Sequence, residues 1–142
     1  MRRACSLLMV LFASFVCFGQ SAPKLTSPRI VAAFERLGQT AAIPPTTIYT
    51  PKKWGTFRVS VIMILTKGNN GNGGDWQGQF LFVDGAGVFT GEPSIFAGTK
   101  NRAVWETPFR CKPGQRMVFS VTPGGNTAGS KYNALVVVEQ LM

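Results

Sequence analysis

The sequence predicts an all-β chain folded as an antiparallel sandwich or barrel, and three observations carry that reading. Apolar residues alternate with polar ones through most of the chain after residue 46. Clusters of Gly, Pro, Asn and Asp interrupt the alternation about every 8 to 12 residues. The one segment with helical periodicity is short and lies near the front, at residues 27–38. One core suffices, because a chain of this size buries roughly two-thirds of its unfolded surface.

Residues 1–21 read as a cleavable secretory signal peptide. Arg2 and Arg3 precede an apolar run from Leu7 to Phe18, and Gly19 and Ser21 supply the small residues that signal peptidase reads. At about 12 residues the run is shorter than the roughly 20 that cross a bilayer as a helix, so no transmembrane segment is expected in the mature chain. Cleavage is expected before Ala22, and the product to be secreted, periplasmic or held at the cell surface. Twin-arginine export and lipidation at Cys17 lack a convincing motif context. Cys5 and Cys17 leave with the leader, so Cys111 alone remains and no internal disulfide can form. Burial as a small hydrophobe is its expected state.

The next elements are an N-terminal arm or short helix with a linker, residues 22–45. Ser27 suits a helix N-cap, Pro28 the first turn and Gly38 the C-terminal cap, with Ile30, Phe34 and Leu37 on one face. A helix of under three turns is marginal without a surface to dock on. An extended arm is the alternative. Pro44 and Pro45 punctuate the linker, and the sandwich is expected over residues 46–142.

Within it, Thr46 to Thr50 is a β-favouring run and Pro51 to Gly55 a turn. The strongest strand spans Thr56 to Thr66, with Phe57, Val59, Val61, Met63 and Leu65 on one face and Arg58, Ser60, Ile62, Ile64 and Thr66 on the other. That second face turns apolar midway, which marks a central strand. The glycine- and asparagine-rich segment from Lys67 to Asp75 turns freely. Trp76 to Val83 alternates Trp76, Gly78, Phe80 and Phe82 against Gln77, Gln79, Leu81 and Val83. Asp84 to Gly87 is a hairpin signal before Val88 to Thr90. Further strands are expected at Ser94 to Ala97, Ala103 to Cys111, Arg116 to Thr122 and Tyr132 to Leu141.

Three stretches together resemble a known family: TTIYTPKKWGTFRVSVIMILT, then WQGQFLFVDGAG, then PFRCKPGQRMVFSVTPGG followed by KYNALVVVEQL. They are similar to the small jelly-roll head domains, of the complement or tumour-necrosis-factor type, found in bacterial and phage surface or tail-fibre-type proteins. The correspondence runs from about Gly38 to Leu141. Phe57 stands where the pattern usually has tyrosine, and residues 1–45 carry no collagen-like Gly-X-Y repeat. The resemblance implies an antiparallel jelly-roll-like β-sandwich and a homotrimer used for adhesion or assembly.

Chemistry is sparse. The chain has no histidine, which removes the commonest general base and metal ligand. It has no Gly-x-Ser-x-Gly elbow. No catalytic residue, metal site or cofactor is therefore assigned. Asp75, Asp84, Glu92, Glu106 and Glu139 could supply the paired carboxylates of a small hydrolase, the third-ranked reading. Calcium on the 68–75 loop would have one carboxylate and several amides, thin support beside a mobile hairpin loop.

Ahead of the hydrolase stands a monomeric carbohydrate-binding module using exposed tryptophans, drawn from Trp54, Trp76 and Trp105. Trp76 and Trp105 fall in strands whose inner face must be filled, whereas Trp54 sits in a turn beside Lys52 and Lys53, near Tyr49. These four, Tyr49, Lys52, Lys53 and Trp54, are the candidate ligand-binding residues. Removing the leader leaves 13 basic against 6 acidic residues, scattered rather than in a block. An acidic or glycan surface is the matching partner, and a dedicated nucleic-acid function is disfavoured. Arg58 either reaches solvent or pairs with Glu139. The first reading is thus a non-enzymatic exported sandwich whose main partner is itself.

Overall fold

The computed structural model describes residues 27–71, 73–83, 88–98 and 101–141. The expected signal peptide, Asp84 and the hairpin signal at 84–87 lie outside the described residues. The described residues form nine strands and no helix: β1 (Arg29–Gln39), β2 (Ile43–Tyr49), β3 (Gly55–Lys67), β4 (Asp75–Val83), β5 (Val88–Gly91), β6 (Ser94–Phe96), β7 (Arg102–Cys111), β8 (Met117–Gly124) and β9 (Lys131–Gln140). One sheet has the order β1-β9-β3-β7. The other runs β2-β8-β4-β5, with β6 also on β4. All pairings are antiparallel. Strands near the two ends of the described chain are neighbours, Arg29 opposite Gln140. This is the jelly-roll sandwich expected, and β3 is central between β9 and β7.

The period-two pattern of β3 sets its burial. Phe57, Val59, Val61, Met63 and Leu65 are all at most 2% exposed and face the core. They meet Tyr132, Ala134, Val136 and Val138 of β9 on the same side, and Trp76, Phe80, Phe82, Met117, Phe119 and Val121 from the other sheet. Each such side chain contributes roughly 1.5–3 kcal/mol by leaving water. Aromatic contacts tie the layers together. Phe82 and Phe109 stack with centroids 4.1 Å apart, and Trp76 and Tyr132 with centroids 4.6 Å apart. The polar edges of the second pair are satisfied: Trp76 Nε1 donates to Ser130 Oγ at 2.9 Å and Tyr132 OH to the Ala41 carbonyl at 2.9 Å. Cys111 is buried as expected, its thiol near the Val83 carbonyl.

Two expectations need correction. Of the two forms expected for residues 27–38 the extended one holds and the helix does not, since Arg29–Gln39 is strand β1, and the expected linker already enters the second sheet at Ile43, the start of β2. The edge of β9 offers β1 a ladder of partners from Gln140 to Tyr132, which a helix of under three turns could not match. Phe34 turns inward onto Phe119, rings edge-on at 5.9 Å, while Ile30 and Leu37 of the supposed helical face stay about 60% exposed. Pro44 and Pro45 sit in β2, an edge strand, where the pairing with β8 is irregular between Ile43 and Thr46 and so asks no ladder bond of either.

The asparagine-rich loop is also better anchored than its composition suggests. Asn69 is buried, and its Nδ2 donates to the carbonyls of Gly73 and Asn126, both at 2.8 Å. The backbone of Asn69 and Gly74 bonds to Ala97 from either side.

Candidate functional site

With the inner faces filled, what the molecule offers a partner lies on its outer faces and its ends. On the β1-β9-β3-β7 sheet, antiparallel register aligns outward residues in rows. Leu135, Ile62 and Val104 stand side by side across β9, β3 and β7, opposite Glu35 of β1. The next row holds Asn133, Ile64 and Arg102, and Leu37 closes the hollow they form with the first row, about 250 Å³. Val104 is 54% exposed, Leu37 60% and Ile64 40%. Beyond Val137, Ser60 and Glu106 comes a charged row in which Arg58 faces Glu139.

Arg58 is paired within its own chain. Its guanidinium meets Glu139 Oε2 at 2.5 and 2.7 Å and Glu106 Oε1 at 3.5 Å. The hydrogen bond to Glu139, then its charge, holds Arg58 above its ordinary value. Ser60 Oγ bonds to Glu106 Oε2 at 3.2 Å, extending the network.

The four candidate binding residues lie on one turn at the end of β2. Tyr49, Lys52 and Lys53 line a hollow of about 320 Å³ together with Arg29, Thr50, Phe57 and Gln140. Trp54, 53% exposed, opens instead onto a neighbouring hollow of about 440 Å³ with Gly55, Thr56 and Arg110. The Lys112 ammonium lies 5.7 Å from the Trp54 ring centroid, within cation–π range. The turn is held from below: Pro51 is buried and its carbonyl accepts the Gly114 N–H at 2.9 Å. Neither hollow is lined by an acidic side chain.

The tryptophan platform does not form. Trp76 is buried, and Trp105 is half-buried against the core, its ring 6.1 Å from Phe80, because both inward-facing positions had to be filled. Trp54 alone among the three is exposed.

A second site was not singled out in the sequence. On the outer face of the other sheet, Asp75, Gln77, Gln79, Glu92, Ser94, Ser120 and Thr122 line a groove of about 270 Å³ with Gly78. The polar half of the β4 alternation was its only signal, since the partners come from β6, β8 and the β5–β6 connection. Two carboxylates share this groove, as the hydrolase reading asks. Ser94 Oγ and Gln77 Nε2 both donate to Asp75 Oδ2, at 2.9 and 3.1 Å, and Gln79 Nε2 approaches Glu92 Oε1 at 3.4 Å. Glu92 is exposed and Asp75 half-buried on an open sheet face. Among the described residues no three histidine, cysteine or acidic side chains gather as metal ligands.

No protein-family model matches the chain, and no curated protein matches it in sequence. Solved structures do share its architecture. The globular domain of zebrafish complement 1qA protein superposes with a TM-score of 0.53 at 11% identity, over 78% of this chain and 97% of that one. Looser likenesses are a structure of infectious bursal disease virus Gx strain (TM-score 0.45, 12% identity, 80% of this chain and 31% of that one) and of Eiger TNF from S. frugiperda (0.43, 13%, 80% and 94%). The chain is therefore similar in fold to the jelly-roll globular domain of complement 1qA.

Proposed function

We propose that this chain, exported and cleaved near Ala22, is a non-enzymatic sandwich module for surface binding, adhesion or assembly, and that it works as a homotrimer. The observation that carries this reading is the outer face of the β1-β9-β3-β7 sheet. Ile62, Ile64, Val104, Leu135 and Leu37 form a contiguous apolar area on a face that no other part of the described chain covers. Charges of both signs rim it, Arg102 against Glu35, with the intrachain Arg58–Glu139–Glu106 network beyond, so a second copy meets polar groups at the border and apolar contact in the middle. A ring forms when this face meets a different face of the next copy, and the resemblance to trimeric jelly-roll heads of surface or tail-fibre-type proteins is what favours three.

The basic turn stays available to an outside partner. Lys52, Lys53 and Arg29 beside Tyr49, with Trp54, Arg110 and Lys112 adjacent, suit an acidic or glycan surface. Export to the cell surface, periplasm or medium is part of the proposal, resting on the N-terminal sequence. The test is the mass in solution of the mature chain by light scattering, with reductant present. Three protomers support the reading. One protomer at micromolar concentration overturns the assembly.

A further inference from the structure

We propose that the groove on the outer face of the β2-β8-β4-β5 sheet is a binding site for a neutral sugar residue, held through adjacent hydroxyl groups. The floor is a regular array. Gln77 stands opposite Thr122 on β8 and Ser94 on β6, and Gln79 stands opposite Ser120 on β8, so between Asp75 at one end and the Leu81–Val118 pair at the other three strands present amides and hydroxyls outward. Two glycines shape it. At Gly78 a side chain would collide with Met63 and Pro93 inside, so main chain forms part of the groove floor. At Gly124, opposite Asp75, a side chain would occupy the place of the Asp75 carboxylate and the Gln77 amide.

The hydrogen bonds already present orient these groups. With Asp75 Oδ2 taken by Ser94 and Gln77, the amide of Gln77 is fixed in direction and Asp75 Oδ1 keeps most of its accepting capacity. The Gln79–Glu92 pair repeats the arrangement along the groove. Each pair offers a carboxylate acceptor beside an amide, which matches a vicinal diol, whose hydroxyls donate to one and accept from the other. Ser120 and Thr122 add hydroxyls that can do either.

Charge narrows the ligand class. The chain has 15 Lys and Arg against 6 Asp and Glu, yet two of those six acids line this groove and no Lys or Arg does. An anionic ligand is repelled there, whereas an uncharged polyol gains charge-assisted hydrogen bonds. The volume, about 270 Å³, is just below the roughly 300–1,000 Å³ of pockets that hold drug-sized ligands, and fits a single sugar residue. The groove lies on the sheet opposite the apolar face, so three copies joined through that face would each keep it open. The site itself does not depend on the assembly.

The experiment is a two-dimensional NMR titration of the mature chain with neutral methyl hexosides, and separately with glucuronate and with calcium chloride. The side-chain amide signals of Gln77 and Gln79 are expected to shift saturably with at least one neutral hexoside, at roughly millimolar concentration, and not with glucuronate. Gln79→Ala and Thr122→Val should each weaken the response about tenfold. Unchanged indole signals of Trp76 and Trp105 certify the fold. The proposal is overturned if no neutral hexoside moves these signals or if glucuronate moves them equally. A response to calcium alone, or one abolished by Trp54→Ala instead of Gln79→Ala, overturns it as well.

Discussion

The two sheets use the same alternation and bury similar inner faces, but their outer faces differ. Across β9, β3 and β7 the outward rows include Leu135, Ile62 and Val104 side by side, with Ile64 below. Across β8, β4 and β6 the outward positions are Val118 and Leu81 at one end, then Ser120 and Gln79, then Thr122, Gln77 and Ser94. Apolar rows on a solvent face lose free energy until they are covered, whereas amides and hydroxyls are already satisfied by water. On the proposed assembly the first face is covered and the second stays open, so substitutions on the two should behave differently.

The largest expected effect is on assembly. Ile62→Glu places a charge in the centre of the Leu135–Ile62–Val104 row and should reduce the mass by light scattering to one protomer, with the circular dichroism of the fold retained. A change beneath both faces should not distinguish them. Phe80→Ala removes a fully buried ring and should lower stability in urea by about 3–5 kcal/mol, whether or not copies associate.

Next in size is an alkaline effect beneath the β9 face. Burial pushes the Tyr132 phenol well above its ordinary value near 10. Between that value and the native one the unfolded chain has lost the proton and the native chain has kept it, so stability falls as pH rises above about 10, by at most about 1.4 kcal/mol per pH unit. Tyr132→Phe should flatten this slope in alkaline urea titrations, while losing the bond to the Ala41 carbonyl at neutral pH.

A smaller effect is expected at the rim. Arg58→Ala leaves Glu139 and Glu106 without their shared cation and should lower the melting temperature slightly, less so in high salt because the network is solvent-accessible. The smallest is on the open face: Thr122→Glu should leave mass and melting temperature unchanged. A dissociated Thr122→Glu protein would show that the two faces had been assigned the wrong way round.

Much of this was legible along the chain. The inner set of β3 and the alternation of β4 follow from side chains pointing to opposite faces at successive residues, a local rule needing no knowledge of partners. The apolar turn of the outer β3 face at Ile62 and Ile64 was visible for the same reason. The exposure of Trp54 followed from its place in a turn, and the inward direction of Trp76 from its place in a strand.

What the sequence by itself determined is the class of fold, nearly every strand from β3 onward and the side each residue of β3 and β4 takes, because period-two patterning and turn chemistry act over a few residues. The tertiary structure alone decided that residues 29–39 are a strand, since a marginal segment takes the form its neighbour β9 can complete. It alone aligned Leu135 with Ile62 and Val104, and gathered Asp75, Glu92, Ser94 and Thr122 around one groove. Those groupings depend on which strands pair and in what register, and such free energy exists only between segments far apart in the chain.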